Sequence, residues 1–256
     1  MDFISYKRMP ADIGSHRVEE VQYEADGVLV RGLLVTPVEP INRIVVYLRG
    51  GKGQVGRVRL GRMLQFTNES TLVFAPYYRG NNGSHGRDAF AGDDLQDVIA
   101  GVAILKEMYP DTPVHLIGFS RGGIQGLLTF QAVNATSYII WGGVSDIRLM
   151  YEERVDLRGM LRRMVGHPKK HPEAYQQRDA LSIIDHTAPP ILIVHGGLDE
   201  QVGIHQAYHL ANHLEEKRAR YETYYQMLEG HVPRPDALAE VLEHIQNWMN
   251  KVEGKD

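Results

Sequence analysis

Apolar residues follow two alternating rhythms along the chain. Residues 18–24 and 27–36 alternate apolar with polar on either side of Ala25-Asp26-Gly27, which predicts a β-hairpin closed by a tight Asp-Gly turn. Pro37 and Pro40 end that hairpin, and 43–48 is a continuous apolar run suited to a strand covered on both faces. Further short apolar runs at 71–75, before Ser120, and at 137–141, 191–195 and 220–228 bring the predicted strands to eight. Between them the period lengthens to that of a helix. Residues 58–69 carry Leu60, Met63, Leu64 and Phe66. Another helix, capped by Asp93 or Asp94, carries Leu95, Val98, Ile99, Val102, Leu105 and Met108. Ile124, Leu127, Leu128 and Phe130 mark a helix after Ser120, one more spans roughly 203–218, and the last carries Leu238, Val241, Leu242, Ile245 and Trp248.

Strands that alternate with helices predict an α/β fold, a mostly parallel eight-stranded sheet flanked by helices. Residues 146–178 break the rhythm: Glu152, Glu153, Arg154, Arg158, Arg162 and Arg163 crowd a weaker apolar period, punctuated by Gly166-His167-Pro168 and His171-Pro172. A small helical insertion over the site, about 146–180, is the expected structure. No repeat, low-complexity tract or linker divides the chain, so 1–256 reads as one domain.

The junction Gly118-Phe119-Ser120-Arg121-Gly122-Gly123 carries the first chemistry. A serine bracketed by glycines between a strand and a helix has the form of a nucleophile elbow, in which a β-carbon at Gly118 or Gly122 would collide with a neighbouring strand or helix. The alternative is a structural turn with an idle serine. A hydroxyl at its ordinary pKa is a poor nucleophile, so an active Ser120 needs a histidine base and an acid to orient it.

Ligands in open α/β sheets bind at the carboxyl ends of the strands, and this filter thins the twelve histidines. His205, His209 and His213 have helical spacing and suit a solvated face, although an i, i+4 pair can also hold a metal; no metal site is expected. His115 and His195 lie within apolar strands, as core histidines do. His231 follows the last strand behind Gly230, where its ring can swing toward Ser120. Among the acids, Asp199 follows the penultimate strand. It can also be read as a cap for the next helix, and Glu200 is the second candidate. The order Ser120, Asp199, His231 is that of the α/β-hydrolases. Two oxyanion donors are then required: the backbone N–H of Arg121, and one from the loop where Gly50 and Gly51 allow close approach, Gly51 before Gly50. Gly53 and Gly56 extend that loop.

Composition narrows the partners. A net charge of -4 gives no reason to expect nucleic acid, and 43% hydrophobic with 23% charged residues suits a globular protein. With no cysteine, thiol catalysis and thiolate metal sites are excluded. The N-terminal residues hold Asp2, Lys7, Arg8 and Asp12 and no apolar h-region, and no window reaches the roughly 18 apolar residues of a membrane span. A cytoplasmic protein with no membrane partner and no cofactor is expected; a homo-oligomer stays open.

The chain resembles the catalytic domain of prolyl-oligopeptidase-type serine peptidases and their acylaminoacyl-peptidase relatives over residues 43–252. The resemblance rests on Arg49-Gly50-Gly51, Tyr78-Arg79-Gly80 with Gly83 and Gly86, the Gly118 to Gly123 junction, His195-Gly196 with Asp199 and Val202, and Gly230-His231. Tyr47-Leu48-Arg49-Gly50-Gly51, Trp141-Gly142-Gly143-Val144-Ser145-Asp146 and Tyr151-Glu152-Glu153-Arg154 look like those of small bacilli-type peptidases of about this length. It implies an α/β-hydrolase fold and a serine hydrolase acting on small peptides or esters, with Ser120, Asp199 and His231 as its triad. Carboxylesterase activity is the alternative, and a non-catalytic module on the same fold the third reading. Arg49, Tyr78, Arg79, Glu152 and Glu153 are its candidate substrate-binding residues. Two departures bear on substrate. The chain leaves no room for the β-propeller of the full-length peptidases, and arginines stand at 49, where the family has histidine, and at 121, after the serine. These arginines can anchor a substrate carboxylate or pair internally with Asp146, Glu152 or Glu153; Glu152 and Glu153 can receive a free amine.

Overall fold

The hairpin turn shows how local chemistry sets the first strands. Asp26 and Gly27 both have positive φ, 50° and 71°, the conformation that a two-residue turn needs to match the twist of its strands. It joins β2 (His16–Ala25) to β3 (Val28–Pro37). The other strands are β1 (Ser5–Arg8), β4 (Arg43–Leu48), β5 (Thr71–Pro76), β6 (Val114–Phe119), β7 (Ser137–Trp141), β8 (Ile191–Gly196) and β9 (Tyr221–Gln226). This computed structural model describes residues 2–9, 13–52 and 55–255; Asp12 and Gly53 lie outside them. The nine strands form one sheet in the order β1-β2-β3-β5-β4-β6-β7-β8-β9. β1, β2, β3 and β5 pair antiparallel, while all pairs from β5 through β4 to β9 are parallel.

Among the described residues there are nine strands rather than the expected eight, because β1 has no hydrophobic signature. All four of its residues are exposed, and it is held by pairing with Glu19 to Gln22 of β2. The central strands are covered on both faces, and successive residues divide between two cores. Ile44, Val46 and Leu48 of β4 face one side with α2 (Leu95–Met108), α3 (Gly122–Thr129) and α7 (His205–Lys217). Val45 and Tyr47 face the other, with α1 (Leu60–Met63) and α8 (Pro235–Val252). Among the described residues no helix is long and apolar enough to cross a membrane.

Two helical expectations need correction. The helix expected over 58–69 is only α1 followed by a 3-10 turn, Leu64–Phe66. Asp94 occupies the N-cap position of α2 but makes no capping bond; its carboxylate is turned inward, as described below. Residues 146–184 form α4 (Ile147–Glu153), a 3-10 turn at Val155–Leu157, α5 (Arg158–Met164), α6 (Pro172–Gln176) and a 3-10 turn at Leu181–Ile183. From that segment Met150, Arg154, Leu157, Met160 and Arg163 reach the rim of the cavity beside Ser120.

Candidate active site

Three loops at the carboxyl ends of β6, β8 and β9 carry Ser120, Asp199 and His231 to one edge of the sheet, beside the crevice where the chain reverses its winding around β4. Ser120 has φ of +55°, a strained conformation for a residue with a β-carbon. The turn that imposes it is closed by glycines. A β-carbon at Gly118 would strike Gly122 and Tyr138, one at Gly122 would strike Leu48, and one at Gly123 would lie 2.7 Å from Gly143. The serine backbone is pinned on both sides: its N–H donates to the Trp141 carbonyl, and its own carbonyl accepts from Gly123 and Val144.

His231 Nδ1 and Asp199 Oδ2 are 2.7 Å apart. The other carboxylate oxygen accepts from the backbone N–H groups of Gln201 and Val202 at 2.8 and 2.9 Å, which closes the turn ahead of α7; Asp199 is not the cap of that helix, whose N-cap position is Ile204 with no side-chain capping bond. Burial works to raise the Asp199 carboxyl, but the hydrogen bonds from His231, Val202 and Gln201 outweigh it and hold its pKa below the usual carboxylate value. An ionised Asp199 accepts the Nδ1–H and leaves the Nε2 lone pair of His231 available. Glu200 is exposed and has no part in this contact. The His231 ring packs on Phe119 with centroids 4.7 Å apart, and a β-carbon at Gly142 would lie 3.2 Å from Asp199 Oδ2 and 3.3 Å from His231 Nδ1.

Ser120 and His231 line the same cavity but make no hydrogen bond to each other in this conformation. The serine hydroxyl lies toward Gly50, where a β-carbon would be 3.3 Å from Oγ. Such contacts are often long before substrate binds, and a serine Oγ moves by rotation about one bond. Among the described residues neither the Arg121 N–H nor the Gly51 N–H has an acceptor. Both residues face the cavity beside Ser120.

The two arginines are paired internally, with partners other than those anticipated. Arg121 makes bonds of 2.8 and 2.6 Å to the two oxygens of Asp88, 2.7 Å to Asp94 and 3.2 Å to the Gly51 carbonyl. Burial opposes its charge, yet Asp94 and Asp88 outweigh that and keep it protonated. Arg49 is buried, donates to the carbonyls of Gly50 and Tyr77, and stacks 5.0 Å over the Tyr78 ring. Neither arginine meets Asp146, Glu152 or Glu153.

The expectation of substrate contact at Arg49, Tyr78 and Arg79 is likewise corrected. None of the three lines the cavity. Tyr78 is fully buried, and Arg79 is spent on Asp97 through its backbone N–H at 2.6 Å and Nε at 2.9 Å. Glu152 and Glu153 are outside it too; Glu153 pairs with His205 at 3.2 Å and His209 with Asp146 at 3.5 Å on the exposed face of α7. His195 Nε2 donates to the Val202 carbonyl, 2.8 Å away, beneath Asp199, and His115 is held by Ser137 and Glu253. Among the described residues no group of three or more side chains is arranged to hold a metal.

The cavity over Ser120 has a volume of about 860 Å³, room for a small ligand. Its walls include Phe90, Met150, Leu157, Met160, Val202 and Val232, and its charged residues are all basic. Lys52, Arg57, Arg59 and Arg62 were not picked out from the sequence as site residues, although three arginines in six positions just after Gly50-Gly51 were a legible signal.

The prolyl oligopeptidase family model matches residues 60–256. The chain is 38% identical to the uncharacterized peptidase YtmA of Bacillus subtilis, over 96% of this chain and 98% of that one. A puromycin-hydrolyzing peptidase of Mycobacterium tuberculosis superposes with a TM-score of 0.81 at 22% identity, covering 96% of this chain and 41% of the other. The acylaminoacyl peptidase of Pyrococcus horikoshii gives 0.77 at 16% identity, covering 95% and 42%. The chain thus spans about two fifths of the length of these two solved structures.

Proposed function

Since the chain belongs to the prolyl oligopeptidase family and is a serine hydrolase of the α/β-hydrolase fold, we propose that it cleaves the acyl bonds of short peptides with Ser120 as nucleophile. His231 Nε2 takes the Ser120 proton as Oγ attacks the acyl carbon. Asp199 holds the ring and balances the imidazolium. The oxyanion is received by the N–H groups of Arg121 and Gly51. His231 then gives the proton to the leaving nitrogen as the C–N bond breaks. Water, deprotonated by the same ring, releases the acid and restores Ser120.

The observation that carries this reading is the 2.7 Å contact between His231 and Asp199 at the edge where a strained serine shares a cavity with the histidine. Asp199 leaves the ring one free nitrogen, and that ring shares its cavity with the hydroxyl of Ser120. The cavity size favours a short peptide or acyl amino acid, the substrate class that the names of the acylaminoacyl and puromycin-hydrolyzing peptidases also suggest. An ester passes through the same tetrahedral intermediate, so turnover of aminoacyl anilides against short acyl esters ranks the two activities.

A fluorophosphonate should label the protein at Ser120 alone, and Ser120→Ala should abolish labelling and lower kcat by about 10⁴- to 10⁶-fold. Labelling that persists in the variant would rule out Ser120 as the nucleophile.

A further inference from the structure

The cavity over Ser120 is lined by Lys52, Arg57, Arg59, Arg62, Arg154 and Arg163, and among the described residues by no aspartate or glutamate. Arg154 is committed to Asp156. Lys52, Arg57, Arg59 and Arg163 have no carboxylate partner among the described residues. Among the described residues Arg62 hydrogen-bonds only the neutral Gln65 side chain, at 3.0 Å. The basic groups come from two sides, the loop and helix after Gly51 and the helical insertion. Apolar walls between them concentrate the positive potential on whatever enters. A chain of net charge -4 therefore places a cluster of cations that lack carboxylate partners among the described residues at the mouth of its candidate active site.

Arg62 shares a packing partner with His231. Its guanidinium lies 5.2 Å from the centroid of the Phe119 ring and 5.6 Å from that of Trp141. The His231 ring packs on the same Phe119 at 4.7 Å. The Arg62 guanidinium and the His231 ring thus pack on the same Phe119 ring and line the same cavity, so a carboxylate on the leaving group enters the field of Arg62. A free amine placed there meets like charge and no acid.

From this we infer that the enzyme selects substrates whose leaving group carries a free carboxylate next to the scissile bond, that is, N-acyl amino acids and short peptides cleaved at their C-terminal bond. Arg62 receives the carboxylate, and Arg57 and Arg59 supply the surrounding field. The inference rests on the serine-hydrolase reading for the direction in which the leaving group departs.

The test compares one acyl-alanine carried on two leaving groups, 4-nitroaniline and its 2-carboxy derivative, in which the carboxylate stands beside the scissile nitrogen. The wild type should favour the carboxylated anilide in kcat/KM by about tenfold or more, a ratio that shrinks as salt rises from about 0.05 to 0.5 M. Arg62→Gln should bring the ratio close to one and Arg62→Lys should restore part of it. The exposed pair Arg57→Gln/Arg59→Gln should lower it independently of any packing role of Arg62. A wild-type ratio of one or less, or a ratio untouched by these variants, overturns the inference while leaving the hydrolase intact. A binding measurement needs no turnover: N-acetyl-alanylalanine should bind Ser120→Ala at least about tenfold more tightly in calorimetry than its terminal amide. Equal affinity, or no binding of the acid at millimolar concentration, overturns the inference. Failure of the nucleophile assignment shows separately, as a wild type that no fluorophosphonate labels.

Discussion

Asp94 reaches the guanidinium of Arg121 at 2.7 Å beneath the candidate nucleophile, although its place in the sequence is the start of a helix. The same carboxylate accepts from Gln125 at 2.5 Å and from the N–H groups of Ala91 and Gly92 at 3.2 and 2.9 Å. It therefore ties the loop after β5 to the first turn of α3. Arg121 is also the residue whose N–H faces the proposed oxyanion, so its side chain braces the backbone that would do the chemistry.

Replacing Asp94 by alanine leaves a buried guanidinium with Asp88 as its one carboxylate. The expected cost is about 3 to 5 kcal/mol of stability, with kcat reduced more than KM is raised because the oxyanion donor is displaced. Denaturant unfolding and steady-state kinetics on the same variant check both. Unchanged kcat in a folded variant would detach Arg121 from the oxyanion site.

Asp199→Asn should keep the Oδ1 bonds to Gln201 and Val202 and present an amide N–H to His231 Nδ1. The ring then carries its proton on Nε2 and no longer accepts from Ser120. A loss of about 10⁴-fold in kcat with little change in melting temperature is expected, measurable with an activated anilide and a thermal melt.

Gly50→Ala tests how closely the oxyanion loop approaches the serine. The new β-carbon would lie 2.7 Å from Ser120 Cβ and 3.2 Å from the Phe119 carbonyl, so one of these groups must move. Stability should fall by about 1 to 3 kcal/mol and kcat/KM by about 10²-fold, the cost of a small misplacement of reacting groups. Retained fluorophosphonate labelling at the wild-type rate would contradict this.

Acid stability should decline in two stages set by the far end of the sheet, where His115 lies 2.7 Å from both Ser137 Oγ and Glu253 Oε1 and Glu253 also pairs with Arg43 at 2.5 Å. Burial pushes the His115 imidazole below its ordinary 6.5, so below that pH the unfolded chain binds a proton that the folded one does not, and stability falls. Burial alone would raise Glu253, but hydrogen bonds from His115, Arg43 and Lys255 hold it well below its ordinary 4.5. Its contribution is therefore intact above that value and lost as pH falls toward the depressed one. His115→Gln should flatten the dependence of melting temperature on pH between 7 and 5; an unaltered slope would place the titration elsewhere.

The sequence alone determined what short-range sterics and periodicity control. The Asp26-Gly27 turn, the strands β2 through β9, the glycine-bounded turn at Ser120 and the placement of Asp199 and His231 after successive strands all follow from residues within a few positions of one another. β1 escaped notice because edge pairing, not burial, holds its exposed residues. Which carboxylates would face Arg121 was decided only by the tertiary structure. Asp88 and Asp94 stand about 30 residues away in sequence, and no local pattern separates them from Asp146, Glu152 or Glu153. The cationic cavity arises in the same way, since Arg62 and Arg163 are brought to one opening by the packing of the insertion over the sheet. Charge pairing and cavity shape depend on contacts between distant segments, and those exist only once the chain has folded.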